Sequence, residues 1–199
     1  MSEGRGEGEK GRGVIIKYFH PMSIPYTGRE LRSHWAYVNF GLHGDSIVSF
    51  IGECNVKREN LVDLNDALKG NYIYSPLMAH FIVEHFDMDL EKAIYRQRLL
   101  CGCARNEIAI KNRAAPISRW GDDIFLADRK MSVSIATISP ISTMIHLGIN
   151  IETEGTPVPT AGLGELGIAP EPFAERVMEA YAMELDSIRL ARAKVRRVD

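Results

Sequence analysis

Three mostly apolar segments follow one another closely at residues 123–126, 131–138 and 144–152, and they limit the folds open to this chain. Each segment has the composition of a β-strand. Residues 127–129, Ala-Asp-Arg, supply a tight turn between the first two. Strands in such close succession favour meander-like antiparallel pairing. The first expectation for this chain is therefore an antiparallel sheet.

A long strand and two long helices accompany these strands. Residues 73–86 are mostly apolar and predict a buried strand. Asp89 is the expected N-cap of a helix that ends near Lys111. A second helix is predicted over residues 172–195, where apolar residues hold helical spacing and Pro172 occupies the first position.

The N-terminal half adds further elements of both kinds. Strands are predicted at residues 14–19 and 46–52, with a helix over 28–40 between them. Thr27 and Glu30 have the spacing of a capping box at the start of that helix. The order of elements predicts an α+β fold, a mainly antiparallel sheet flanked by helices.

Composition and charge narrow the class of protein. Apolar residues make up 45% of the chain and the net charge is −2, which is typical of a globular domain without a general attraction to nucleic acid or membranes. Three cysteines, without zinc-finger spacing, indicate a reducing, cytoplasmic compartment and no metal site. Residues 1–13 predict a flexible N-terminal tail, and residues 14–199 a single domain.

The segment that starts at Arg119 carries a recognisable pattern. It contains Arg119-Trp-Gly-Asp-Asp-Ile, then Asp128-Arg-Lys-Met-Ser-Val-Ser-Ile, then Gly148-Ile-Asn-Ile. This resembles the biotin protein ligase run Lys-Trp-Pro-Asn-Asp-Ile, Gly-Arg-Lys-Leu-Ala-Gly-Ile-Leu and Gly-Ile-Gly-Ile-Asn-Val. The residues that match directly are Trp120, Asp123, Ile124, Arg129, Lys130, Gly148, Ile149 and Asn150. The resemblance extends over about residues 46–152 and is dense over 119–151.

Two further resemblances accompany this one. The lipoate transferases share the lysine, and they carry a His-Gly pair near the position of His146. The segments Tyr26-Thr-Gly-Arg-Glu-Leu-Arg-Ser and Gly44-Asp-Ser-Ile-Val are similar to an uncharacterised family called domain of unknown function 366. Together these resemblances imply a class II synthetase-like, biotin/lipoate ligase-like fold. They also imply a small carboxylate-bearing substrate, with ATP and Mg²⁺ as cofactors.

Two departures from those enzymes bear on the reaction. The ligases wrap the adenylate with a loop Gly-Arg-Gly-Arg-x-Gly-Arg, whereas residues 55–63 contain no glycine, so the backbone cannot approach a phosphate as closely. The transferases carry a cysteine after the Gly-Ile-Asn strand, whereas residues 158–164 are Val-Pro-Thr-Ala-Gly-Leu-Gly. The sequence therefore argues against adenylate formation and against a thioester intermediate, and it leaves the cofactor unknown.

The candidate site centres on Lys130, which the resemblance implies as the catalytic residue that neutralises a carboxylate or phosphate. The alternative for Lys130 is an exposed lysine at a strand end. Asp122 and Asp123 would contact the polar group of the ligand or hold Mg²⁺, and otherwise they are solvated turn residues. Lys57 and Arg58 would close over the anion, and otherwise they belong to a charged loop in water.

Trp120, His146 and Asn150 complete the candidate ligand-binding residues. Packing of Trp120 under the sheet edge is preferred to stacking on a ligand. Strand alternation places His146 and Asn150 on one face, where a hydrogen-bonded core histidine is preferred to a catalytic one. Asn150 could cap a backbone group or bind the ligand. His80 and His85 fall on opposite faces of their strand and do not form a metal pair.

Two hypotheses of function follow. The first is a ligase or acyltransferase without a cysteine nucleophile, acting on a small carboxylate or a nucleotide-like ligand. The second is a non-catalytic ligand- or RNA-binding module on the same fold. RNA is the minor alternative, because the basic residues of the last helix also complement its dipole. These residues are Arg189, Arg192, Lys194, Arg196 and Arg197. No membrane is expected as a partner, and a homodimer is one open alternative for the oligomeric state.

Overall fold

The computed structural model describes residues 15–198, and the predicted tail at 1–13 lies outside that range. The strands are β1 (Ile16–Phe19), β2 (Ser46–Val56), β3 (Ile73–His85), β4 (Ile117–Trp120), β5 (Asp123–Leu126), β6 (Arg129–Lys130), β7 (Ser132–Ile138) and β8 (Thr143–Glu152). The α-helices are α1 (Trp35–Phe40), α2 (Leu64–Lys69), α3 (Leu90–Lys111) and α4 (Pro170–Lys194). Within the described range, no helix is long and apolar enough to cross a membrane.

The strands form two sheets. The larger has the order β1-β2-β3-β8-β7, and the smaller has the order β4-β5-β6. All strand pairs are antiparallel except β1 with β2. The predicted α+β fold with a mainly antiparallel sheet flanked by helices is therefore confirmed.

The large sheet is covered on both faces, and β3 shows how. Phe81 and Val83 of β3 pack with buried residues of α3 and α4 in one hydrophobic cluster. Met78 and Ile82 point the other way, into a second cluster that contains Trp35 of α1. Because side chains alternate along a strand, a strand covered on both sides is apolar at nearly every position. This is why residues 73–86 gave so clear a strand prediction.

The N-terminal helix is shorter than predicted. The capping-box contact exists, since the backbone N–H of Thr27 donates to Glu30 at 2.8 Å. A continuous helix over 28–40 is nevertheless wrong, because His34 takes a left-handed backbone conformation with φ of 61°. The N–H of His34 donates to the buried carboxylate of Glu84 at 2.9 and 3.1 Å. This tertiary contact replaces a helical turn and delays α1 to Trp35.

The C-terminal elements follow the predictions closely. The side chain of Asp89 accepts a hydrogen bond from the N–H of Lys92 at 2.9 Å and caps α3 as expected. The last helix starts at Pro170, two residues before the predicted Pro172. Strand β4 was not predicted, because three of its four residues are exposed and carry no apolar alternation.

Candidate functional site

A cleft of about 610 Å³ lies on the face of the large sheet opposite α3 and α4. Its floor comes from β2, β3, β7 and β8, and its rim from residues 60–63, 70–75 and 156–160. The volume falls within the range of small-molecule sites. Of the eight candidate residues from the sequence analysis, five line this cleft, namely Asp122, Asp123, Lys130, His146 and Asn150, and three do not.

Lys130 lies at the end of β6, and its side chain lines the cleft. Its Nζ is 2.8 Å from Oδ1 of Asp123, another lining residue. The backbone of Lys130 is fixed on both sides, since its N–H donates to Pro159 O at 3.1 Å and its carbonyl accepts from Ala161 N at 3.0 Å. An ammonium has three N–H donors, so the contact with Asp123 leaves two for a ligand.

Asp122 lines the cleft but is engaged by the helix behind it. Its carboxylate pairs with Arg98 and accepts from Nε2 of Gln97 at 3.0 Å. The thiol of Cys101 donates to the carbonyl of Asp122 at 3.3 Å. These contacts attach β5 to α3, and they give Asp122 a structural role beside any contact with a ligand.

The cleft is lined by more negative than positive charge. Asp63 caps α2, accepting from the N–H groups of Asn65 and Asp66, and Asp66 accepts from Nδ2 of Asn71 at 2.9 Å. With Asp122 and Asp123, these are four carboxylates against the single ammonium of Lys130 among the lining residues. Residues 15–198 contain no group of three or more His, Cys, Asp or Glu side chains that could hold a metal ion. This electrostatic balance disfavours a polyanionic ligand.

Asn150 holds the cleft wall together. It is 4% exposed, and its N–H donates to Met131 O at 2.9 Å. Its Nδ2 lies 3.4 Å from the carbonyls of Lys130 and Ala161. The amide of Asn150 therefore connects β8 to the end of β6 and to the loop after β8, which positions Lys130.

His146 and His80 form a hydrogen-bonded pair beneath the cleft. Nε2 of His146, a lining residue that is 3% exposed, lies 3.1 Å from Nδ1 of His80. The ring of Tyr26 stacks on His146 with ring centroids 3.7 Å apart and an interplanar angle of 14°. Burial lowers the pKa of His80 to about 4, and burial and the neighbouring His80 lower the pKa of His146 well below its ordinary value. Both imidazoles are therefore neutral at neutral pH.

Cys54 is a cleft residue that sequence reasoning did not select. It is fully buried, and burial, together with the charges of Glu30 and Glu53, raises the pKa of its thiol to about 12. Because the thiolate is the reactive form, this cysteine is not an activated nucleophile. Tyr26 was missed as well, since its position over the sheet depends on a contact between distant segments.

Three predicted residues lie elsewhere. Lys57 and Arg58 are exposed and are not among the cleft-lining residues, so the expectation that one of them shares the cleft with Lys130 is wrong. Nε of Arg58 donates to the carbonyl of Ala67 at 3.0 Å, which draws the guanidinium toward α2. Trp120 is 84% exposed at the end of β4 and does not pack under the sheet edge.

Solved structures of biotin and lipoate protein ligases share this fold. A biotin protein ligase from Aquifex aeolicus, solved in complex with biotin and ATP, superposes with a TM-score of 0.55 at 12% identity, covering 89% of this chain and 71% of that one. A putative lipoate protein ligase from T. acidophilum with bound lipoic acid gives a TM-score of 0.55 at 12% identity, covering 85% of each chain. At this identity the likeness shows a common fold.

Two relatives are much more similar. A protein of unknown function from Pyrococcus horikoshi has 42% identity and a TM-score of 0.87, covering 93% of this chain and all of that one (100%). An uncharacterized protein of Methanocaldococcus jannaschii, MJ0805, is 38% identical over 172 residues, which are 83% of this chain and 77% of that protein. Residues 16–196 match the family described as Domain of unknown function (DUF366). The chain therefore belongs to the DUF366 family and has the fold of the biotin and lipoate protein ligases.

Proposed function

We propose that this protein binds a small carboxylate-bearing molecule in the cleft and activates its carboxyl group or transfers its acyl group, as a ligase or acyltransferase without a cysteine nucleophile. The observation that carries the proposal is the position of Lys130, whose ammonium faces a cleft of small-molecule size on a backbone fixed at both ends. The likeness in fold to ligases solved with biotin or lipoic acid supports the same ligand class.

Lys130 would act by charge. Its two remaining N–H donors bind a carboxylate, while the contact with Asp123 keeps the ammonium in place. The same ammonium stabilises negative charge that develops on the carboxyl oxygens during acyl transfer. Because the thiol of Cys54 stays protonated, the attacking group comes from a second substrate, and the protein contributes positioning and charge stabilisation.

A second candidate is a module that binds the same ligand without transforming it. One observation favours it: Lys57 and Arg58, the residues expected to close over an activated acyl group, lie outside the cleft. The excess of carboxylates in the lining also disfavours binding of a nucleoside triphosphate without Mg²⁺. In both cases we expect the protein to bind a monocarboxylate more tightly than ATP alone.

The binding step is tested with Lys130→Met. A charge-assisted hydrogen bond contributes about 1.5–3 kcal/mol, so calorimetric titration with octanoate, biotin and lipoic acid should show affinity falling roughly 10- to 150-fold. The fold should tolerate the change, because methionine keeps most of the apolar stem. Lys57→Met is the matched control, since it removes an exposed lysine outside the cleft. Equal affinities in wild type and both variants would contradict the assignment of Lys130.

The chemical step is tested by trapping with hydroxylamine. The protein is incubated with the bound acid and MgATP, or with the corresponding acyl thioester, and acyl hydroxamate is measured. Hydroxamate that depends on Lys130 but not on Lys57 supports a ligase in the first mixture and an acyltransferase in the second. Binding without hydroxamate in either mixture supports the binding module instead.

A further inference from the structure

We infer that the inner end of the cleft recognises a neutral hydrogen-bond donor on the ligand, accepted by Nδ1 of His146, and that His80 fixes this preference. The inference rests on the proposed function, because it describes the far end of the same carboxylate-bearing ligand. It defines the ligand class as an elongated monocarboxylic acid with an N–H or O–H group remote from its carboxylate.

The proton positions follow from one carbonyl group. Nε2 of His80 lies 3.2 Å from the carbonyl oxygen of Gly52, which can only accept, so Nε2 of His80 carries the proton. A neutral imidazole has one protonated nitrogen, and Nδ1 of His80 is therefore an acceptor. Nε2 of His146 lies 3.1 Å from that atom and must donate to it. Nδ1 of His146 is left as an acceptor.

That acceptor is available to a ligand. Within residues 15–198, the one hydrogen bond of the His146 ring is the contact of its Nε2 with His80, so its Nδ1 has no partner. His146 itself lines the cleft. A ligand that displaces water from this nitrogen without donating a hydrogen bond leaves a buried acceptor unpaired, which lowers affinity. The site therefore favours ligands with a donor at this position.

The pair resists protonation, which keeps the preference fixed. His80 and His146 stack with centroids 5.3 Å apart, between the rings of Phe50 and Tyr26. A proton added to either imidazole would place a charge inside this apolar cluster. His146 consequently presents a lone pair and not an N–H, and it repels a carboxylate instead of binding one.

The spacing of the two ends sets the length of the ligand. Asn150 contacts the backbone of Lys130, and His146 lies four residues away on the same face of β8, a distance of about 13 Å along the strand. Gly148 lies between them, where a Cβ would come within 2.9 Å of Met78 and 3.2 Å of Val133. These side chains give the cleft an apolar middle between the ammonium and the imidazole. A chain of the order of 10 Å therefore connects both ends.

The test compares two probes that differ in one proton donor, 8-hydroxyoctanoate and 8-methoxyoctanoate, by calorimetric titration of the full chain. One net hydrogen bond corresponds to about a 3- to 10-fold difference in affinity, so the hydroxy acid should bind that much more tightly. His146→Phe should abolish the difference, while His43→Phe, at an exposed histidine, should preserve it.

A second measurement does not depend on a variant that folds. Long-range ¹H–¹⁵N spectra of the imidazoles at neutral pH should show His80 and His146 both protonated at Nε2. A proton on Nδ1 of His146, or equal affinities for the two probes, overturns the inference. If both probes bind equally and Lys130→Met weakens both, the inner-end assignment fails while the proposed function stands. If Lys130→Met weakens neither, the proposed function fails, and the spectra still decide the proton positions.

Discussion

The single residue Gly52 allows two backbone segments to approach each other closely beside the cleft. A Cβ at Gly52 would lie 1.9 Å from the carbonyl oxygen of Ile24. The segment that contains Ile24 runs beside β2, with Tyr26 N donating to Glu53 O at 2.8 Å. The missing side chain of Gly52 thus brings this segment close enough to place Tyr26 on His146, and the carbonyl of Gly52 orients His80.

We expect Gly52→Ala to destabilise the protein. The methyl group meets backbone atoms that cannot rotate away, and overpacking of this kind costs about 1–3 kcal/mol or more. Gly102→Ala in α3 is the matched control, because nothing lies within 4 Å of its Cβ position and alanine in a helix interior is favoured by about 0.5–1 kcal/mol. Urea denaturation should give shifts of opposite sign, and equal shifts would contradict the close approach.

At the scale of elements, a buried polar chain attaches α4 to the sheet. The hydroxyl of Tyr181 in α4 donates to Nε2 of His85 at 3.0 Å, and Nδ1 of His85 donates to Asp45 at 2.8 Å. Burial lowers the pKa of His85, which keeps its Nε2 an acceptor. Burial opposes ionisation of Asp45, but hydrogen bonds from His85 and from the N–H of Phe86 hold its pKa below the ordinary value. His85 of β3 therefore connects this strand both to α4 and to the turn that precedes β2.

Tyr181→Phe should weaken this attachment. The variant keeps the fully buried ring but leaves Nε2 of His85 without its partner, which costs about 1–3 kcal/mol. Tyr95→Phe in α3 removes a hydroxyl from a ring that is 63% exposed and should change stability by less than about 0.5 kcal/mol. If urea denaturation gave the same free energy of unfolding for both variants, the chain from Tyr181 to Asp45 would not stabilise the packing of α4.

At the scale of the whole molecule, three neutral buried histidines make stability depend on pH. Burial lowers the pKa values of His80, His85 and His146 below that of a histidine in the unfolded chain. As pH falls below about 6.5, these three histidines become protonated in the unfolded chain but stay neutral in the folded protein. The free energy of unfolding therefore decreases. The pKa values of Asp45 and Asp87 are lowered too, so stability that depends on their ionised forms is lost at still lower pH.

We therefore expect the free energy of unfolding to be highest near neutral pH and to fall between about pH 6.5 and pH 4. His80 alone, with a pKa of about 4, contributes a loss of the order of 3 kcal/mol over that interval. Urea denaturation at several pH values measures the slope. His43→Gln, which removes an exposed histidine, should leave the slope unchanged. If the free energy of unfolding stayed constant down to about pH 5, the three imidazoles would take up protons in the folded protein as readily as in the unfolded chain, which would contradict the lowered pKa values.

Elements that depend on contacts between neighbouring residues could be predicted from the sequence. A mostly apolar run predicted β3, the Asp89 cap and helical spacing predicted α3, and short connections predicted the antiparallel pairing of β7 with β8. The contact between Lys130 and Asp123 is local as well. Strands β5 and β6 form a hairpin in which Phe125 pairs with Lys130, which places the side chains of Lys130 and Asp123 close together. These features depend on residues a few positions apart, where propensity and turn geometry act directly.

The inner end of the cleft could not be predicted from the sequence, because it depends on contacts between distant segments. His80 and His146 lie 66 residues apart and meet because of the register in which β3 pairs with β8. Tyr26 reaches His146 only because Gly52 admits a neighbouring backbone, and α1 is shortened by the distant Glu84. Strand register and sheet order arise from packing over the whole domain, so no local pattern encodes such contacts.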